Sequence, residues 1–74
     1  MTELADMHEI RITTRDRLLS AWMSSMELVR DFETFSHEIQ DDREAAQALA
    51  SFAVEEGLHA SRLREMLHKY EPAQ

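Results

Sequence analysis

The chain has 74 residues, no cysteine, a single lysine and a formal net charge of −7. Lack of cysteine removes disulfides and thiolate metal sites, the acidic balance argues against a nucleic-acid partner, and no apolar run approaches the roughly 20 residues of a membrane span. A chain this short buries only about 60% of its unfolded surface, so a metal or a partner subunit is the staple that remains.

The first ten residues, MTELADMHEI, lack the basic-then-apolar order of a signal peptide, which makes a cytoplasmic protein the expectation. Residues 1–13 read as an N-terminal arm or short helix. Leu4, Met7 and Ile10 suit an amphipathic turn, whereas Ile10 and Ile12 suit an extended arm. His8 and Glu9 read as a solvated pair.

Thr13-Thr14-Arg15-Asp16 is a helix start, with Thr13 as N-cap and Asp16 in the first turn. The periodic segment after it predicts a helix over about 14–40. Leu18, Leu19, Trp22, Met26, Val29, Phe32 and Ile39 form its apolar side, and Leu28 and Phe35 widen that side. Ser20, Ser24, Glu27, Asp31, Thr34 and Glu38 make its polar stripe. Trp22 reads as a core or interface anchor, and Met23 and Met26 as gap-fillers.

Gln40 to Glu44 is the next punctuation. Asp41 and Glu44 stand at capping-box spacing. A second helix over about 42–70 follows, with Ala45, Leu49, Phe52, Leu63, Leu67 and Tyr70 on one stripe. Pro72 ends it and leaves a tail at 72–74. His37 and His68 fall near helix C-termini, where a cation is favoured. Gly57 inside the second helix costs about 1 kcal/mol, which a close helix approach would explain. Gly and Pro occur once each, too little turn chemistry for a β fold. The expected fold is therefore all-α, an antiparallel two-helix hairpin over 14–71. Two apolar faces are more than one hairpin hides, so two hairpins are expected to pair into a four-helix bundle, as a dimer or higher even oligomer.

Glu56 and His59 break the second apolar stripe. At about 100° per residue they lie about 40° and 20° from Phe52 on opposite sides, three residues apart and side by side. Glu55 sits at the edge of the stripe. A buried carboxylate without a partner costs several kcal/mol or takes up a proton. A Glu56–His59 pair is one resolution. The other is a metal, because inward Glu-x-x-His motifs on facing helices build carboxylate-bridged di-iron and di-manganese sites.

The stretch ALASFAVEEGLHASRLREML resembles the Glu-x-x-His helix of the ferritin-like and rubrerythrin-like superfamily, where an EE-x-x-H-A pattern recurs. The size and two-helix plan are most similar to the encapsulated ferritins, half-ferritins that dimerise to complete a di-iron site. TRDRLLSAWMSSMELVRDFETF resembles their first helix, so the likeness spans residues 14–70. It implies a ferritin-like four-helix bundle, Glu56 and His59 as metal ligands, iron as the metal with manganese or zinc as alternatives, ferroxidase chemistry, iron storage, and cargo status inside a protein shell. The family also places a ligand Glu about thirty residues before the motif. Here Met26 or Ser25 holds that position. Glu27 stands one residue off on the polar stripe, and Glu33 lies on the apolar side but about 9 Å nearer the turn. Either of the two acids is a candidate third ligand. The alternatives are a metal-free helical dimer acting as an adaptor or regulatory module, and a ferritin-like subunit that keeps only the fold.

Overall fold

A computed structural model of the chain describes residues 11–70. The arm expected over residues 1–13 lies outside that range up to residue 10, as do His8, Glu9, Pro72 and the tail at 72–74. The described residues form two helices, α1 (Thr14–Glu38) and α2 (Arg43–His68), packed against each other with no strand among them. Neither helix is long and apolar enough to cross a membrane.

Local chemistry sets the helix ends. Thr13 is extended, and its hydroxyl accepts from the Asp16 backbone N–H at 3.1 Å while Asp16 accepts from the Thr13 N–H at 3.0 Å. Two otherwise orphaned donors are satisfied by this reciprocal box. Arg17 reinforces it by donating to the Ile12 carbonyl at 2.7 Å. At its other end α1 stops two residues earlier than its periodicity predicts, with Ile39 extended as the C-cap. The N-cap of α2 is Asp42, not Asp41: its carboxylate accepts from the Ala45 N–H at 3.0 Å. His37 and His68 fall in the last turns of α1 and α2, where a cation is favoured.

The seam between the helices differs from the one drawn by counting large apolar residues. On α1 Leu18, Trp22, Ser25, Val29, Phe32 and Ser36 are covered in alternating steps of four and three, with Leu19 half-buried beside them. On α2 Ala46, Leu49, Ala53, Glu56, Ala60, Leu63 and Leu67 again step by three and four, with Ala45, Ala48 and Gly57 half-buried beside them. This is the coiled-coil seam spacing. Ala53, Ala60, Leu67 and Ser25 are its deepest members, whereas Met26, Phe52 and Tyr70 are exposed. Small side chains let the backbones approach. Ser36 Oγ, one bond beyond Cβ, donates to the Ala46 carbonyl of the other helix at 2.7 Å, and Ser25 Oγ lies 3.5 Å from the Glu56 carbonyl oxygen. The larger side chains ring this seam. Phe32 and Phe52 meet edge-on with centroids 6.2 Å apart, and Arg64 lies 5.3 Å from the Trp22 ring centroid.

Gly57 does not serve a close approach. A Cβ built there would meet nothing within 4 Å.

Candidate functional site

Ser25 and Glu56 face each other across the seam and form a polar layer between Ala53 and Ala60. The Ser25 hydroxyl donates to Glu56 Oε2. The other carboxylate oxygen, Oε1, is 3.3 Å from His59 Nδ1 one turn further along α2, within reach of a hydrogen bond when Nδ1 carries the proton. The Ser25 hydrogen bond holds the Glu56 carboxyl below the usual carboxylate range; burial pushes the other way, and His59 adds to the lowering. Glu56 is thus the one acidic side chain among these seam positions, and its ionised form is favoured by Ser25.

One side of this layer is open. Ala21, Ser24 and Leu28 of α1 and Glu56, His59, Arg62 and Leu63 of α2 line a shallow groove, mostly apolar, across the hairpin. The Glu56 side chain is 20% exposed there and that of His59 68%. The groove continues into an uncovered apolar face: Leu28 is 41%, Phe35 48% and Phe52 47% exposed. Leu28, Phe35 and Phe52 are thus apolar area that the single hairpin leaves uncovered.

The helix-one acids stay away from Glu56. At about 100° per residue Glu27 lies about 160° around α1 from Ser25, on the outer surface beside Leu19 and Met23. Glu33 lies about 80° from Ser25 on the side away from the groove and two turns nearer the hairpin turn. The position opposite Glu56 belongs to Ser25, one of the two residues, with Met26, that the spacing allows there. The signal that finds it is the strict four-three spacing, with Ser25 and Glu56 falling on matched seam positions.

The donor set can therefore be compared with what the resemblance implies. A carboxylate-bridged dinuclear centre needs several carboxylates around two imidazoles. Each hairpin contributes Glu56 and His59, and no group of three or more metal-capable side chains occurs among the described residues. One chain alone falls short of the di-iron centre, which the resemblance places between two chains. No protein family, curated protein or solved structure matches the chain in comparison.

Proposed function

We propose that the chain is a metal-binding subunit of a symmetric pair of hairpins, and that Glu56 and His59 of both copies bind a divalent cation between them. The observation that carries this reading is an anionic Glu56 and an adjacent His59 opening onto an apolar groove that lacks a cover. A second copy suits the rim of α2 next to that groove by charge. Glu55, His59 and Arg62 border one hollow on α2. Glu55 and Arg62 are seven residues, two turns, apart on the same rim. A two-fold axis crossing α2 midway between them sets Glu55 of each copy against Arg62 of the other, as an isologous interface requires. His59 then lies beside the axis.

Iron is the first metal to test, because the resemblance is to iron proteins; ferroxidase chemistry and storage inside a shell would follow from it only if a full acid set assembled. Sedimentation at micromolar concentration should find a pair. Fe(II) under anaerobic conditions, or Zn(II), should raise its melting temperature by mass action. Glu56→Gln and His59→Ala should each abolish that shift. A paired chain whose melting is indifferent to metal would favour the second reading, a metal-free adaptor. One observation favours that reading: Ser25 and His59 already occupy both Glu56 oxygens within one hairpin.

A further inference from the structure

We infer that the groove face is where the chain recognises a second copy of itself, and that the charges along its edges set the two hairpins antiparallel, the turn of one at the open end of the other. The inference deepens the pairing in the reading above and does not depend on a metal. It starts from a second apolar stripe beside the seam. Ala21, Leu28 and Phe35 on α1 recur every seven residues, and so do Phe52, His59 and Met66 on α2. At about 100° per residue both sets lie roughly 40–80° around from Ser25 and Glu56, on the groove side. Leu28, Phe35, Phe52 and Met66 are between 41% and 48% exposed. A seven-residue repeat presents one face to another helix along its whole length, and a single hairpin has no helix there.

The edges of this face carry charge that reverses along its length. Read from the open end to the turn, the α1 edge holds Arg17, Ser24, Asp31 and Glu38, seven residues apart. In the same direction the α2 edge holds Lys69, Arg62, Glu55 and Ala48. Both edges are therefore basic at the open end and acidic toward the turn. Two copies packed face to face have two isologous arrangements. An axis running along the helices stacks basic end on basic end and acidic end on acidic end, which is repulsive. An axis running across both helices stacks unlike ends, so complementary charge selects it. That axis must cross α1 and α2 at one height. Arg17 and Asp31 centre on Ser24, and Glu55 and Arg62 centre on residues 58 and 59. Ser24 and His59 line the same stretch of groove, so the two helices place the axis at the same level independently. The same axis sets Leu28 of each copy within a residue of Ala21 of the other, large over small. It also sets Phe52 within a residue of Met66.

Orientation and charge are tested separately on the full chain without metal. The sequence has no cysteine, so Gln40→Cys in the turn carries one spin label per copy. Gln40 is sixteen residues from Ser24, which puts the two labels about 50 Å apart in the antiparallel pair; dipolar spectroscopy reads the distance. Turns lying together at less than half that separation would overturn the inference and leave the metal-binding reading standing. Glu55→Arg sets Arg against Arg62 of the other copy, and Arg62→Glu sets Glu against Glu55. Both positions are exposed, so the hairpin itself should keep its helicity. Each variant alone should pair roughly 10–100-fold more weakly in sedimentation. Mixed together, the two variants should pair with each other as tightly as wild type does with itself. Single variants that pair like wild type, or a mixture that stays apart, would overturn the inference. A wild-type chain that remains monomeric at micromolar concentration would overturn it together with the pairing in the reading above.

Discussion

Ser25 and Glu56 are coupled closely enough for their interaction to be measured by a double-mutant cycle on the metal-free chain. Ser25→Ala removes a donor to an ionised carboxylate, a bond worth about 1.5–3 kcal/mol. Glu56 is open to the groove, so water recovers part of that, and the expected loss is about 1–2 kcal/mol. Glu56→Leu places an apolar side chain between Ala53 and Ala60, where burial gives up to about 1.5–3 kcal/mol. It also leaves the Ser25 hydroxyl, 4% exposed, without its main acceptor, which costs about 1–3 kcal/mol. The two effects offset, so this variant should lie within about 1 kcal/mol of wild type. The double variant keeps the apolar gain and orphans nothing, and should be about 1–2 kcal/mol more stable than wild type. The coupling energy is then about 2–4 kcal/mol. Urea unfolding followed by helicity, at several protein concentrations to separate assembly from folding, gives all four free energies. A coupling near zero would mean that the contact contributes nothing in solution. A double variant weaker than both singles would refute the claim that an apolar layer replaces the polar one.

Other substitutions test separate parts of the structure. Gly57→Ala should stabilise the chain by about 0.5–1 kcal/mol, because helix propensity improves and the new Cβ meets nothing within 4 Å; a lower melting temperature would show that the assembled protein covers Gly57. Thr13→Ala removes half of the capping box and should cost about 1 kcal/mol, read as a loss of α1 helicity and a lower urea midpoint; an unchanged midpoint would refute the cap's contribution. Asp16 is held below the usual carboxylate range by the Thr13 backbone and hydroxyl hydrogen bonds, and Glu56 by Ser25. Both folded pKa values are depressed, so the unfolded chain binds more protons. Their stabilisation is fully present above the unfolded carboxylate range, near pH 4, and is lost as pH falls through the folded values. Melting temperature should therefore drop below about pH 4, less steeply in Ser25→Ala; an equal drop in that variant would remove Glu56 from the acid response.

The helices, their antiparallel pairing and the Thr13 cap were legible because each rests on local chemistry: a cap residue, an interrupted period, a short polar turn. The adjacency of Glu56 and His59 was legible for the same reason, since three residues on a helix bring side chains together whatever surrounds them. The seam was not. Counting large apolar residues favoured Met26, Phe52 and Tyr70, all of which are exposed. Alanine and serine carry little hydrophobic weight, so Ser25, Ala53 and Ala60 escape a size-based reading. Their value lies in what they allow, the approach of two backbones. Only the combined spacing of both helices reveals it. The fate of Glu27 and Glu33 likewise depends on the rotation of α1 about its axis, which the seam fixes and composition does not.

The contacts that join α1 to α2 form a ladder of increasing loop length. Ser36 reaches Ala46 across 10 residues of chain, Phe32 reaches Phe52, Ser25 reaches Glu56 across 31, and Arg64 covers Trp22. Each doubling of a loop adds about 0.6 kcal/mol of closure entropy, so forming the Trp22 rung first would cost roughly 1.2 kcal/mol more than forming the Ser36 rung first. The hairpin therefore zips from its turn outward, and Ser25 meets Glu56 after the aromatic rung has closed. Substitutions at the polar layer act late, and should appear in the unfolding rate while leaving the folding rate almost unchanged. The same order run backwards opens the Trp22 end first in the native protein. The Ser25–Glu56 layer thus lies on the open-end side of the Phe32–Phe52 contact, and opens before that contact does.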